Sequence, residues 1–199
     1  MDALEKKKNS PNIAKLAIVL FAVTAIVALV LGLVNDVTKD KIKENSVKKT
    51  AAAYANVLDA KTYEPIDEAQ YKKDAETQKQ FSTITKLSTA KDDSGNVIGY
   101  VAETTFSGAQ GMITMVVGLD ADKACTGIYV TKSSETAGLG AKASETSKDA
   151  WRDNLVGATD GVALAKDGGS IVAITGATIT SRACTNEVQT VISAVNMLG

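Results

Sequence analysis

Ile174–Ser181 reads ITGATITS, and it stands between the short apolar run Ser170–Ile174 (SIVAI) and a helical pattern that runs almost to the end of the chain. In that pattern Cys184, Val188, Val191, Ile192 and Val195 recur at i, i+4, i+7, i+8 and i+11, which is one face of an α-helix. The segment therefore reads as strand, turn and amphipathic helix. Gly176 permits the tight turn. The first turn of a helix leaves backbone N–H groups unpaired and carries partial positive charge. Such a helix start holds a phosphate readily. The hydroxyls of Thr175, Thr178, Thr180 and Ser181 surround this point.

Working back, Glu135–Lys142 reads ETAGLGAK, with Gly138 and Gly140 on either side of Leu139. A loop of this kind can bring backbone amides and one apolar side chain against a flat ring. Three strand patterns precede it. Val97–Phe106 (VIGYVAETTF) follows the turn-forming Asp93-Ser94-Gly95-Asn96. Gly111–Leu119 (GMITMVVGL) is the second, and Cys125–Val130 is the third after Asp120-Ala121-Asp122-Lys123. These predict an antiparallel meander. Ala143–Leu155, which contains Trp151, reads as a helix. Segregated strands and helices predict an α+β domain.

Farther toward the N-terminus, residues 16–34 read LAIVLFAVTAIVALVLGLV without a charge. As a helix this run is roughly 28 Å long, close to a hydrocarbon core of about 30 Å. It is too long for the apolar region of a cleaved signal peptide, and Val34-Asn35-Asp36 is a poor cleavage site. A helix apolar all round is rarely soluble. The run is therefore read as one transmembrane helix. Lys6, Lys7, Lys8 and Lys15 before it place the N-terminus in the cytoplasm, although the lysines that follow blunt the contrast. Residues 37–59 read as a continuing helix. Asp59–Lys79, polar and acidic with Pro65 as a breaker, reads as a linker and surface helix.

Composition narrows the chemistry. The 199 residues include no histidine and two cysteines, with a net charge of −1. The commonest general base and metal ligand is absent. An iron–sulfur cluster usually needs four thiolates, so the chain cannot hold one alone. Without a basic footprint, nucleic acid is no expected partner. Any redox work then falls to an organic cofactor. A threonine-nucleophile hydrolase lacks a histidine to activate the hydroxyl. Cys125 and Cys184 read as small core residues. Whether they form a disulfide stays open, because a bridge needs Cα atoms within about 7 Å.

Taken in order, ETAGLGAK and TGATITS, with Gly108–Asp120 (GAQGMITMVVGLD), Ser181-Arg182-Ala183 and the N-terminal apolar run, resemble the FMN-binding domain family. That domain occurs in the G subunit of the Rnf electron-transport complex. It also occurs in the C subunit of the sodium-pumping NADH:quinone oxidoreductase, which is usually longer. The chain departs from the family pattern at Ala137, where Pro is usual, and at Val172, where Asp is usual. Asp167 is close to the second position but out of register. The resemblance implies an antiparallel-sheet FMN-binding domain with flanking helices behind one transmembrane helix. Its divisions are a cytoplasmic N-terminus over 1–15, the membrane helix over 16–34, a helical stalk and linker over 35–80, and the FMN-binding domain over 81–199.

The resemblance further implies FMN joined to Thr178 by a phosphoester, installed from FAD by an ApbE-type flavin transferase. Thr175, Gly176 and Ala177 would shape the turn, and Thr180 and Ser181 would hydrogen-bond near the phosphate. Glu135, Thr136, Gly138, Leu139 and Gly140 would line the isoalloxazine side. Implied partners are the other members of the Rnf complex, among them integral-membrane flavin and iron–sulfur proteins. That complex couples electron flow between ferredoxin and NAD to sodium or proton transport. A membrane-tethered anion-binding module without flavin is the alternative from another class.

Residues 35–199 are expected outside the cytoplasm. A cysteine placed in the Asp92–Asn96 turn should then react with a membrane-impermeant thiol reagent in intact cells. Labelling only after lysis would reverse the topology.

Overall fold

The computed structural model describes residues 13–147 and 150–198, with the backbone alone for 40–48. Lys6, Lys7 and Lys8, on which the expected orientation rests, lie outside the described residues. The chain forms two compact units, one ending at Val47 and one beginning at Lys48. The first helix, α1, spans Ile13–Val57. Its stretch Ile13–Lys39 is long and apolar enough to cross a membrane. Leu16, Ile18, Leu20 and Phe21 are exposed on the chain itself, so a lipid phase is what would bury them.

The second unit is built on a five-stranded antiparallel meander in the order β1-β2-β3-β4-β5. The strands are β1 (Thr62–Pro65), β2 (Ile84–Lys91), β3 (Val97–Ser107), β4 (Met112–Asp120) and β5 (Cys125–Lys132). A short helix, α2 (Ala75–Gln80), leads into β2, and the long α3 (Thr178–Asn196) closes the chain. The α+β class and the three expected strands hold.

Period-two alternation divides β4 between two cores. Ile113, Met115, Val117 and Leu119 point to one face, where they join Cys184, Val188, Val191, Ile192 and Val195 of α3. Val116 points to the other face and packs with Ala53, Tyr54 and Val57 in the last turns of α1. Gly118 lets that helix end approach, since a Cβ there would stand 2.8 Å from the Val57 carbonyl. The Thr126 hydroxyl donates to the same carbonyl. Tyr54 donates to Glu103 at 2.6 Å. The last turns of the expected stalk thus belong to the compact unit.

Three local expectations change, and one strand, β2, was not among those expected. Asp59–Lys79 contains the edge strand β1 as well as short helical turns. Pro65 is tolerated because it ends an edge strand. β2 escapes a period-two reading because register shifts at Ile84/Lys86 and Ala90/Lys91 break its alternation. Ala143–Leu155 is no α-helix across its described residues, which form 3-10 turns at Gly140–Ser144 and Trp151–Leu155. Residues 148–149 of that stretch lie outside the described residues. Ser144, Thr146 and Ser147 compete with the backbone for hydrogen bonds and weaken a helix there. Ser170–Ile174 forms no strand. Ile171 makes a single parallel bridge to Leu164. Burial of Ile171 and Ile174 against exposure of Val172 accounts for the apolar run without a sheet neighbour.

Both cysteines are free and buried, so the reading as small core residues holds. Burial pushes each thiol up to about 12. On α3, Glu187 is buried and accepts the Thr83 hydroxyl at 2.7 Å. Desolvation pushes its carboxyl up to about 7, partly offset by that hydrogen bond. A raised carboxyl pKa makes the folded state bind the extra proton. The stabilisation is full below the unfolded pKa of about 4.3 and is lost as pH rises through about 7. Glu187→Gln should remove this pH dependence and gain about 3–4 kcal/mol over wild type above pH 8. Denaturant melts of the detergent-solubilised chain from pH 4 to 8.5 check it; parallel pH profiles for the two chains would refute it.

Candidate functional site

The site forms where the chain enters α3. Ile174–Ala177 makes a turn closed by the Ala177 N–H donating to the Ile174 carbonyl at 2.9 Å. Gly176 at its third position has φ +77°, the left-handed conformation that a type II turn requires there. Ala177 then caps α3 without any side-chain hydrogen bond. Most helices place Ser, Thr, Asp or Asn at this position, and its absence costs about 1 kcal/mol. The first-turn N–H groups are therefore left for an outside acceptor, at the positive end of a 19-residue helix.

The four hydroxyls divide into two pairs. Thr180 and Ser181 are fully buried. Thr180 donates to Glu135 Oε2 at 2.6 Å. Ser181 donates to the Ala177 carbonyl and accepts the Ile174 N–H, both at 2.9 Å, so it braces the turn from inside. These two hydroxyls are engaged with protein partners. Thr175 is exposed and Thr178 half-buried, and neither hydroxyl has a hydrogen-bond partner among the described residues. Thr175 precedes the Gly176 turn. Thr178 is the first helical residue, beside the uncapped amides.

The ETAGLG loop packs against this turn, so the two sequence motifs meet in space. Leu139 lies over Gly176, with its Cδ2 at 3.0 Å from where a Cβ would stand. Gly138 is left-handed at φ +75°. The Leu139 and Ala141 N–H groups both donate to the Thr136 carbonyl, which folds the loop back on itself. Gly140 is buried, whereas Thr136, Ala137, Gly138 and Leu139 are exposed. Ile179 and Val172 add further exposed apolar surface near the turn.

Several supports are not marked in the sequence patterns. The Gln110 N–H, from the turn between β3 and β4, donates to Glu135 Oε1 at 3.0 Å. Gly-rich GAQG marks that turn but not its partner. Trp151 Nε1 donates to the Val172 carbonyl at 2.6 Å and holds the strand-like approach to the site. Asp167 grips Arg182 through two hydrogen bonds, at 2.6 and 2.9 Å. The guanidinium keeps the Asp167 carboxyl below the usual range. Asp167 is thus engaged beside α3, while Val172 presents an exposed side chain. Among the described residues no cluster of His, Cys, Asp or Glu could hold a metal ion.

This combination of meander, closing helix and uncapped glycine turn is that of a flavin-binding module: the FMN-binding domain family matches residues 108–193. A second family, the RnfG N-terminal region, matches residues 1–57. The chain is 35% identical to the G subunit of the Na(+)-translocating ferredoxin:NAD(+) oxidoreductase complex of Acetobacterium woodii, over 87% of each chain. It is 30% identical to the G subunit of the ion-translocating oxidoreductase complex of Methanosarcina acetivorans, over 94% of this chain and 97% of that one. A third relative, the protein of the same name from Aliivibrio fischeri strain ES114, is 33% identical over 92% of this chain and 87% of its own. The chain belongs to the family of G subunits of ion-translocating oxidoreductase complexes.

The turn supplies a direct stability test. Gly176→Ala forces a side chain into the left-handed region and against Leu139, at an expected cost of about 1–2 kcal/mol. Gly176→Asn, whose side chain tolerates this region, should cost less. Equal unfolding midpoints for wild type and Gly176→Ala would contradict the geometry.

Proposed function

We propose that the chain is an electron relay in a membrane-bound, ion-translocating ferredoxin:NAD oxidoreductase complex, and that it carries FMN as a phosphoester on Thr178. The observation that carries this reading is the Thr178 hydroxyl, free of hydrogen-bond partners among the described residues, on the first residue of an uncapped helix. The family match to an FMN-binding domain and the names of the relatives support it.

The residues fit the group. A phosphate on Thr178 Oγ1 would accept first-turn N–H groups that no side chain caps. Such an interaction is worth about 0.3–1 kcal/mol at the surface and about 2 kcal/mol when partly buried. Energy of that size cannot retain a cofactor at low concentration, which gives the covalent bond a physical purpose. Attachment forms a P–O bond to Thr178 Oγ1 and breaks the phosphoanhydride bond of FAD. AMP leaves, and the hydroxyl proton is lost. A separate flavin transferase would perform this step, because no histidine is present to activate the hydroxyl.

When bound, FMN supplies reversible electron uptake, and the chain positions it. Leu139, Ile179 and the backbone of Gly138–Gly140 would offer one ring face an apolar surface. Thr175, Gly176 and Ala177 shape the turn that presents Thr178. The relay would stand outside the cytoplasm, beside integral-membrane flavin and iron–sulfur proteins of the complex, with sodium or protons as the coupled ion.

Co-expression with a flavin transferase should give a chain that keeps yellow fluorescence after denaturation, with the added mass of one FMN. Thr178→Ala should lose both, while Thr175→Ala keeps them. Covalent flavin on Thr178→Ala, or none on wild type, overturns the assignment.

A further inference from the structure

One carboxylate joins three separate parts of the chain next to the proposed acceptor. Glu135 Oε1 accepts the Gln110 N–H at 3.0 Å, from the turn between β3 and β4. Glu135 Oε2 accepts the Thr180 hydroxyl at 2.6 Å, from the first turn of α3. Glu135 itself opens the ETAGLG loop. Two glycines make room for it. A Cβ on Gly108 would collide with Oε1 and also stand 2.6 Å from Ile113 Cδ1, and a Cβ on Gly140 would collide with Oε2 and stand 2.7 Å from Thr180 Oγ1. Hydrogen bonds to an ionised group are among the stronger ones a protein makes.

We propose that Glu135 is a positioning residue for flavin attachment: through Thr180 it sets the rotation of the first turn of α3, and so the direction in which the Thr178 hydroxyl faces the flavin transferase. The proposal rests on the reading of Thr178 as the acceptor. It adds to the part expected for Glu135 at the flavin ring: each carboxylate oxygen accepts a protein donor and so holds the backbone on either side. Thr180 plays the matching part. It lies two residues beyond Thr178 in the same turn, is fully buried, and offers its hydroxyl to Glu135. An apolar N-cap gives α3 no side-chain cap hydrogen bond, so the bond from Thr180 to Glu135 is what ties this turn to the ETAGLG loop.

The test uses the full-length chain in detergent with FAD and a flavin transferase, and reads the initial rate of covalent flavin incorporation by in-gel fluorescence. Thr180→Val keeps the shape but removes the hydroxyl, and Thr180→Ser keeps the hydroxyl. Misplacing an acceptor by about an ångström can slow a reaction by about a hundredfold. Thr180→Val and Glu135→Ala should therefore fall by about tenfold or more. Thr180→Ser should stay within about threefold of wild type. Gly108→Ala approaches the same carboxylate from outside both motifs and should also slow attachment, which keeps the test decisive if Thr180→Val does not fold. Thermal unfolding of each variant separates positioning from collapse. Wild-type rates in Glu135→Ala and Gly108→Ala overturn the proposal. So does a loss in Thr180→Val that Thr180→Ser fails to rescue and that follows unfolding temperature across the set. If wild type takes no flavin at all, the acceptor assignment fails first and this inference falls with it. If wild type is flavinylated and all variants match it, only this inference fails.

Discussion

The apolar face of α3 against the sheet is the contact on which the site depends. Val188, Val191, Ile192 and Val195 are fully buried against Ile113, Met115, Val117 and Leu119 of β4. Each such side chain contributes about 1.5–3 kcal/mol, so the four together contribute roughly 6–12 kcal/mol before entropy is counted. A missing N-cap costs about 1 kcal/mol. Packing along the body of the helix therefore outweighs what its first turn lacks. This difference lets Ala177 stand at the cap and leaves the amides of Thr178, Ile179 and Thr180 without a side-chain acceptor.

The two carboxyl groups that meet α3, Glu135 beside its first turn and Glu187 at its middle, are held differently. Glu135 keeps two hydrogen-bond donors, and its neighbours are glycines at the two points of closest approach. Glu187 has one donor, Thr83, in a largely apolar setting. Desolvation there outweighs the hydrogen bond and favours the protonated carboxyl. The surface pair Asp167–Arg182 lies in solvent, where such pairs add little stability. Its two parallel hydrogen bonds instead fix direction beside the second turn of α3.

The long segment between β5 and α3 forms, over its described residues, short 3-10 turns at Gly140–Ser144, Trp151–Leu155 and Ala165–Asp167, joined by irregular chain. Leu155, Leu164, Ile171 and Ile174 are each buried, spaced among polar residues and glycines. Backbone bonds from Gly157 to Cys125 and from Cys125 to Ala158 seat it against the start of β5. Trp151 then ties its far end through Val172. A loop held by separate anchors can present the glycine turn while leaving the surface around Thr178 open.

Periodicity in the sequence was enough for the apolar helix over 16–34, the strands β3, β4 and β5, and the buried face of α3. In each, residues at a fixed spacing share one environment, and the pattern survives in one dimension. The glycine turn and its threonines were legible for the same reason, since Gly176 and the helix start after it are local features. β2 was hidden because its bulges break the alternation, and β1 because an edge strand of four residues leaves little pattern. The stretches 143–155 and 170–174 misled because their apolar residues answer to separate loop contacts, which carry no period. The division of labour among Thr175, Thr178, Thr180 and Ser181 was set by the tertiary structure alone. Glu135 and Thr180 lie 45 residues apart along the chain, and only the folded sheet brings that carboxylate to that hydroxyl.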